Sequence, residues 1–466
     1  MLNNCLKVKR WSLLVLCTSV ITGCVNSVNR VPAKIMSTLP NNWQSAQVSS
    51  SAINQKWLAT FADPTLNTLV AAALKNNFDL KAAAARVEAA KQQVNISGAT
   101  RWPQLSFIPG YIRSETGTLN TANSNLNIFN AIFSLQWEVD IWGRIKATQQ
   151  ATQQEAEAVS VDYYGANLSL AARTSQLYFE VIEANLQIHV AEQSIKDRRT
   201  IVDLVRGRFT KGLTRGLDLS LALTDLANAE TQLAQSRNQR QLLEKNLSVL
   251  LGQYPDGIKQ IQLQNITVLP NPPAQLAVGL PSDLLERRPD IKTAFFKLRA
   301  FDFKVESAKK ALLPRITLTA SGGTSSSALV DLIDPRAAAW NLAAGLVQPI
   351  FTGGRLTSEI HLNEALTKEA INKYQEVVLN AFREVEQTLA AEHWLRVQEQ
   401  AINLAVAQTE ASRKMAVTSY QQGLIDILTL LDSYRSTLNA QSSHLTVQRQ
   451  LLTNRIDLYL ALGGGV

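Results

Sequence analysis

The feature that most constrains this chain is an internal duplication at one fixed offset of 211 residues. Chance identities scatter over many offsets, whereas two copies of one ancestral unit keep a single offset. The fold must therefore contain the same series of elements twice. The matching pairs are Asp79-Leu80 with Asp290-Ile291, Val87 with Leu298, Ala89 with Ala300, Pro103 with Pro314, Gly143-Arg144 with Gly354-Arg355, Phe209 with Tyr420, Gly212-Leu213 with Gly423-Leu424, and Leu251-Gly252 with Leu462-Gly463.

Each repeat has the same predicted order of elements. A short helical stretch ends near Pro103 or Pro314, two strand-like segments follow, and a very long helical stretch is broken once near its middle. A proline-rich connection separates the repeats. The predicted boundaries are 1–23 for a signal peptide, 24–60 for a polar N-terminal segment, 61–252 for the first repeat, 253–280 for the connection and 281–466 for the second repeat.

The long stretches have the pattern of coiled-coil helices. No proline interrupts the chain between Pro109 and Pro255 or after Pro349. A single helix over residues 145–205 would be about 90 Å long, and it would bury its apolar seam only against partner helices. The seam alternates spacings of four and three, at Leu177, Val181, Ala184, Ile188, Ala191 and Ile195. We predict that the helices turn back at glycines, namely Gly207, Gly212, Gly216 and Gly423.

Four segments are strand-like, and the second alternates most clearly. Such a strand suits a membrane barrel with lipid on one side and water on the other, although a half-buried strand of a soluble sheet has the same pattern. A barrel needs about eight strands to close, so two, three or four copies would have to pool eight, twelve or sixteen. The segments are 104–113, 126–141, 315–323 and 338–351. In the second, Phe133, Leu135, Trp137, Val139 and Ile141 alternate with Ser134, Gln136, Glu138 and Asp140.

The N-terminus reads as a lipoprotein signal. Lys7, Lys9 and Arg10 precede an apolar stretch over residues 11–21 that is too short to span a bilayer as a helix. Ile21-Thr22-Gly23-Cys24 then resembles a bacterial lipobox, which predicts cleavage before Cys24 and a covalent lipid on its thiol. An ordinary signal peptide with a chance cysteine is the alternative. A mature chain beginning at Cys24 would hold one cysteine, so it would have no internal disulfide or cysteine metal site.

Composition gives no sign of an enzyme or of a nucleic-acid-binding protein. The formal charge of +8 falls to +5 when the three basic residues of the leader are removed, which is small for a chain of this length. The four histidines lie in helical stretches, and only Glu364, three residues after His361, has a ligand-like spacing. There is no phosphate-binding glycine loop. We therefore predict no catalytic residue, no metal site, no nucleic-acid partner and no cofactor besides the lipid on Cys24.

Five sequence motifs resemble one family, the TolC-like outer-membrane efflux proteins. The resemblance is closest to the NodT-type lipoprotein branch of resistance–nodulation–division (RND) efflux systems, and it covers nearly the whole mature chain. The most specific motif is GLPSDLLERRPDI at Gly279–Ile291. The others are WLATFADPTLNTL at Trp57–Leu69, NFDL at Asn77–Leu80, EVDIWGR at Glu138–Arg144 and PIFTGGRL at Pro349–Leu356.

The resemblance implies a mainly α fold with a β-barrel. A homotrimer would pool four transmembrane strands per chain into twelve, and the helices would form a coiled-coil barrel across the periplasm. The strand–helix junctions would lie at Gly143-Arg144 and Gly354-Arg355. The protein would be a passive export duct in the outer membrane, docked to a periplasmic adaptor and an inner-membrane RND pump.

The resemblance also implies a periplasmic gate ringed by acidic side chains. Asp426 and Asp432 match the expected aperture, Asp218 lies at a comparable distance after Gly212, and Tyr420 is expected to hydrogen-bond across neighbouring helices. The alternative is that these aspartates cap or solvate helix ends. Ile425 departs from the polar or charged residue of some relatives, which puts their latch in doubt here.

Two other classes of protein compete with the channel. A periplasmic adaptor lipoprotein also has a helical hairpin, but normally one hairpin with β-rich sections. A structural coiled-coil lipoprotein would lack the alternating strand and the duplication. The exported substrate and the cognate pump cannot be read from the sequence.

Overall fold

The computed structural model describes residues 30, 43–45, 57–118, 121–256, 268–273 and 281–464, and for residues 115–118 and 121–125 the backbone alone. The predicted signal peptide, Cys24, most of the N-terminal segment and much of the connection lie outside these residues. The chain divides into two compact units. The sheet unit is built from Glu88–Val159 and Thr293–Gln375, and the helical unit from Met36–Val87, Ser160–Lys292 and Glu376–Val466.

The two repeats contain the same elements in the same order. The first has α1 (Pro64–Asn76), α2 (Phe78–Ala99), β1 (Gln104–Thr118), β2 (Thr121–Val139), α3 (Arg144–Thr210) and α4 (Gly216–Leu250). The second has α5 (Leu284–Arg287), α6 (Pro289–Lys310), β3 (Arg315–Ser326), β4 (Ala338–Val347), α7 (Arg355–Gln421) and α8 (Ile427–Ala461). Short 3-10 helices lie at Trp57–Phe61, Pro281–Asp283, Leu329–Ile333 and Pro335–Ala337.

The four strands form one antiparallel sheet in the order β1-β2-β3-β4. All four predicted segments contain a strand, and the three predicted starts at 104, 315 and 338 are confirmed, but β1 and β3 run further than predicted, β2 begins earlier, and β2 and β4 stop short. β2 stops at Val139 because Asp140 turns away to cap the next helix, so Asp140 and Ile141 are not strand residues. β4 stops at Val347, two residues before Pro349, which has no N–H to donate to a ladder.

The coiled-coil prediction is confirmed. Helices α3 and α7 each have 67 residues, about 100 Å at 1.5 Å per residue. All six predicted seam residues of α3, from Leu177 to Ile195, are buried. The breaks fall at Gly212 and Gly423, which adopt the left-handed conformation at φ 70° and 76°. The prediction for Gly207 was wrong, because this residue continues α3 by a further turn.

The core of the helical unit lies where α1 meets the middle of α3 and the C-terminal ends of α4 and α8. Trp57 stacks on Tyr459 with 5.5 Å between ring centroids, and the Thr60 hydroxyl lies 2.8 Å from the Tyr459 hydroxyl. Buried Arg288 donates to the carbonyl of Ala461, at the end of α8, at 2.9 Å. These contacts hold the end of α8 against the N-terminal 3-10 helix and the ERRP segment.

Candidate functional site

One face of the four-stranded sheet is apolar across all four strands from the helices outward, until it becomes polar at Arg113, Asn127, Thr324 and Ser326. Cross-strand aromatic pairs lie on it, with ring centroids 4.9 Å apart for Phe107 and Phe133 and 4.6 Å for Tyr111 and Phe129. A continuous exposed apolar surface of this kind needs lipid or another protein to cover it. It comprises Leu105, Phe107, Pro109 and Tyr111 of β1, Phe129, Ala131, Phe133, Leu135, Trp137 and Val139 of β2, Ile316, Leu318, Ala320 and Gly322 of β3, and Trp340, Leu342, Ala344 and Leu346 of β4.

The opposite face is polar where the strands leave the helices. It carries Gln104, Ser106, Ser134, Gln136, Glu138, Thr317, Thr319, Ser321 and Asn341. The alternation predicted for β2 therefore extends to its neighbours β1 and β3 next to the helices, while β4 adds Ala343, Gly345 and Val347 to this face. A sheet with one apolar and one polar face fits a wall between lipid and water.

Tryptophans fix the ends of the strands next to the helices. The indole Nε1 of Trp137 donates to the carbonyl of Arg101 at 2.9 Å, and that of Trp142 donates to the carbonyl of Pro314 at 2.7 Å. Tryptophan is enriched at membrane–water boundaries because its ring is apolar and its N–H is polar. Both indole N–H groups therefore donate to backbone carbonyls at the boundary between the sheet and the helices.

The first predicted strand–helix junction is held by charged side chains. Gly143 turns the chain at φ 74°, and the Arg144 guanidinium pairs with the Glu138 carboxylate at 2.8 Å. Asp140 then caps α3, accepting from the backbone N–H groups of Ile145 at 3.1 Å and Lys146 at 2.7 Å. The junction is thus a short turn in which one side chain accepts hydrogen bonds from the first backbone N–H groups of α3.

The second predicted junction has the same glycine turn, but it lacks the ion pair and the helix cap of the first. Gly354 has φ 82°, and Arg355 is exposed and, among the residues that the structure describes, pairs only with Glu359, one helical turn later, at 3.5 Å. Pro349 and Phe351 stand 211 residues after Glu138 and Asp140, so neither carboxylate has a counterpart. The two junctions share a backbone and differ in side-chain chemistry.

The far ends of the four long helices pack together in the helical unit. Their apolar cluster includes Val205 of α3, Ala222 of α4, Tyr420 of α7 and Leu430 of α8. A buried ion group lies beside it. Asp225 accepts from Arg198 Nε at 2.7 Å and from Arg435 Nε at 2.9 Å, and the side chains of Arg198 and Asp225 are only 4% and 3% exposed.

Two of the predicted gate acids cap helices. Asp426 is the N-cap of α8 and accepts from the Thr429 backbone N–H at 2.8 Å, which holds the pKa of its carboxyl below its ordinary value. Asp218, in the first turn of α4, accepts from the Arg215 backbone N–H at 3.3 Å and from the Thr214 hydroxyl. The capping role that was the alternative interpretation is therefore present. Neither side chain is fully buried.

The other two predicted gate residues differ from each other. Asp432 is exposed on α8 and has no hydrogen bond or ion pair within the described residues. Tyr420 is buried, the Arg208 guanidinium lies 5.3 Å from its ring centroid, and its hydroxyl has no partner within the described part of the chain. The predicted hydrogen bond of Tyr420 is thus not formed here, because the hydroxyl lies inside an apolar cluster.

Sequence analysis missed the Arg198–Asp225–Arg435 group. The available signal was a departure from the duplication, since the residues at the equivalent positions are Thr409, Ser436 and Thr224. Positions that are charged in one repeat and small and polar at the equivalent place in the other show where the two repeats have diverged.

No metal-like arrangement of side chains occurs among the described residues. Glu364, the carboxylate singled out by its spacing to His361, pairs with Lys309 at 2.9 Å, and Glu192, at the same spacing from His189, lies 4.0 Å from that imidazole. None of the helices that the structure describes is both long and apolar enough to cross a membrane.

Comparison with known proteins identifies the class. The family described as outer membrane efflux protein matches residues 69–253 and 280–464, two segments that begin and end 211 residues apart. OpmQ of Pseudomonas putida, a pyoverdine export outer membrane protein, is 30% identical, over 91% of this chain and 92% of its own. SilC of Salmonella typhimurium, a probable outer membrane lipoprotein, is 28% identical, over 96% of each chain. The solved outer-membrane channel OprN shares the fold with a TM-score of 0.87 and 24% identity, over 95% of this chain and 99% of that one.

The fold and these matches define an outer-membrane efflux channel with a TolC-like architecture. The chain belongs to the outer membrane efflux protein family. It is the outer-membrane component of a tripartite efflux system, extending into the periplasm. The adaptor alternative is set aside, because the family match covers both repeats and each repeat supplies two strands and a long helical pair.

Proposed function

We propose that this chain forms a homotrimeric, lipid-anchored duct that passes small molecules passively through the outer membrane and catalyses no reaction. The observation that carries the proposal is the sheet, which is apolar on one face and polar on the opposite face near the helices. Within the described residues its outer strands, β1 and β4, each pair on one side only. Open strand edges recruit further strands, so copies of the chain are the natural partners.

Three copies would give a twelve-stranded barrel. The apolar face, with Trp340 and Leu342 among its most exposed side chains, would meet lipid, and the face with Gln136 and Glu138 would meet water. Three pairs of coiled-coil hairpins would continue the duct into the periplasm. Energy would come from the inner-membrane pump through the periplasmic adaptor.

We further propose a lipid on Cys24 and an acidic gate at the helix ends. Cys24 lies outside the described residues, but Arg30, six residues later, pairs with Asp302 of α6 at 2.9 Å. That pair would hold the anchor within roughly 20 Å of α6, the reach of six extended residues. The relative SilC is named a lipoprotein, which supports the anchor. For the gate, exposed Asp432 is the best placed of the four residues, with Asp426 and Asp218 beside it.

The mass of the purified protein in mild detergent tests the proposal. Light scattering corrected for bound detergent is expected to give three chains per particle, and mass spectrometry is expected to give a mature chain that starts at an acylated Cys24. A Cys24→Ser chain serves as the control, since it should lose the lipid while keeping its trimeric mass. A monomer that stays soluble without detergent would contradict the shared barrel.

A further inference from the structure

The polar face of the sheet carries an exposed apolar cluster on β1 and β2, next to which lies Leu126, the partner of Ser114. Two cross-strand pairs, Ile108 with Ile132 and Ile112 with Ile128, lie on the same face as Gln136 and Glu138. Ile108 and Ile112 are 53% and 52% exposed. We call these four residues the isoleucine patch. Large apolar side chains on the water side of a membrane sheet lack the explanation that lipid gives those on the other face.

The centre of the isoleucine patch is hollow. Between the two isoleucine pairs lies the pair Gly110–Asn130. A side chain at Gly110 would meet no atom within 4 Å, and Asn130 turns its Oδ1 to accept from the Ser325 hydroxyl at 2.8 Å. Neighbouring strand pairs stand about 5 Å apart and residues four apart along a strand about 13 Å. The patch is therefore a shallow apolar dish of roughly that size.

On the side of β3 and β4, the residues around the dish are small and uncharged. The adjoining residues of this face on β3 and β4 include Gly323, Ser325, Ala339 and Asn341. The dish lies near the middle of β1 and β2, since Gly110 is six residues from Gln104 and eight from Thr118, and Asn130 is nine residues from each end of β2. In the orientation proposed above, that position is about halfway along the barrel wall of the duct.

We propose that the isoleucine patch is a weak binding site, in the wall of the duct, for the alkyl or aromatic part of an amphiphilic solute. This inference rests on the proposed function, which places the polar face toward water. Removing apolar solute surface from water favours contact with the four side chains. A shallow dish releases what it binds, as conduction requires. The absence of charge in the dish means that it selects for apolar surface rather than for the sign of an ion.

Channel block in planar lipid bilayers tests this site on the whole trimer. The probes are tetramethyl-, tetraethyl- and tetrabutylammonium, which carry one charge each and differ in alkyl surface, added to each side in turn. Block of the wild-type channel is expected to strengthen with chain length. In Ile108→Thr/Ile132→Thr, which keeps β-branched residues in the strands, tetrabutylammonium block is expected to weaken about fivefold, with tetramethylammonium block unchanged. Gly110→Val, which fills the hollow, is expected to act in the same direction.

The adjoining pair on the same face provides the control. Ser106 and Ser134 face each other one step nearer the helices, so Ser106→Thr/Ser134→Thr alters the wall beside the dish and should leave block as in the wild type. Block that is independent of chain length, or equal in the isoleucine variant and the wild type, would overturn the site while leaving the channel intact. A wild-type trimer that conducts no ions would overturn the proposed function, and the site with it.

Discussion

At the scale of single residues, Asp302 shows how burial and a partner charge oppose each other. Its side chain is only 7% exposed, and burial raises the pKa of its carboxyl, while hydrogen bonds from Arg30 lower that pKa in part. A carboxyl with a raised pKa in the folded state favours folding most when it is protonated. Its unfavourable effect therefore appears as pH rises above the ordinary aspartate pKa.

Arg30→Gln is predicted to lower thermal stability at neutral pH by about 1–3 kcal/mol, because a buried carboxylate loses a charged hydrogen-bond partner. The pKa of Asp302 then rises further, so the deficit relative to the wild type should shrink as pH falls toward the ordinary aspartate pKa. Melting of the helices in detergent, followed by circular dichroism at neutral and mildly acidic pH, measures this. In the Asp302→Asn background the effect of Arg30→Gln should not vary with pH, and a deficit that stays constant in both backgrounds would contradict the argument.

Burial could be predicted for residues that follow the helical period of apolar side chains. It could not be predicted for polar residues whose partners come from distant parts of the sequence. Leu177 and Ile188 follow the helical period, and both are buried as expected. The environment of Tyr420 was not predictable, because whether its hydroxyl meets a partner depends on how four distant helix ends pack. Asp225 was missed for the same reason, since its two arginine partners are 27 and 210 residues away in sequence.

At the scale of elements, the start of α3 shows how a helix 67 residues long is begun. Its first N–H groups have no intrahelical acceptor, and Asp140 supplies acceptors for two of them. The duplicated helix α7 begins without such a side chain, because Phe351 occupies the equivalent position. The strand-to-helix turn of the first repeat therefore depends on one carboxylate.

Asp140→Ala is predicted to destabilise the protein by about 0.5–2 kcal/mol, the usual effect of removing a helix cap. Asp140→Asn keeps one side-chain oxygen acceptor and should cost less. The melting midpoint of the trimer in detergent gives the comparison, with Phe351→Ala as a control at the equivalent site of the second repeat. Equal losses for the alanine and asparagine variants would show that charge rather than capping matters at Asp140.

Element boundaries were predictable to within a few residues where proline or glycine sets them. Pro103 and Pro314 precede β1 and β3 directly, and Gly212 and Gly423 end the long helices. Strand ends were less predictable because they depend on a neighbouring strand. β2 begins five residues before its predicted start, since β1 extends far enough to pair with it.

At the scale of the whole molecule, the two repeats share a backbone and have diverged in charge at their far turns. The first turn carries Arg206, Arg208, Lys211 and Arg215, whereas the positions 211 residues later hold Val417, Ser419, Gln422 and Asp426. The sequence showed the duplication and the strand count but not the number of copies, because the closing partner of a sheet edge lies outside the chain. The same divergence leaves the acidic side chains of Asp426 and Asp432 on the second repeat.

A substitution at Asp432 can distinguish a role in gating from a role in helix capping. Asp426 both carries charge and caps α8, so Asp426→Ala removes two things at once, while Asp426→Asn keeps an acceptor for the Thr429 N–H. Asp432 has no such structural task among the described residues. If three copies ring an aperture, Asp432→Asn should reduce cation selectivity in bilayers several-fold, because like charges across a narrow opening favour cations, and it should leave the melting midpoint unchanged. Glu157→Gln, which removes an exposed carboxylate from α3 well before the turn at Gly212, is the matched control. Unchanged selectivity in both Asp432→Asn and Asp426→Asn would remove these acids from the gate and leave Asp426 as a helix cap alone.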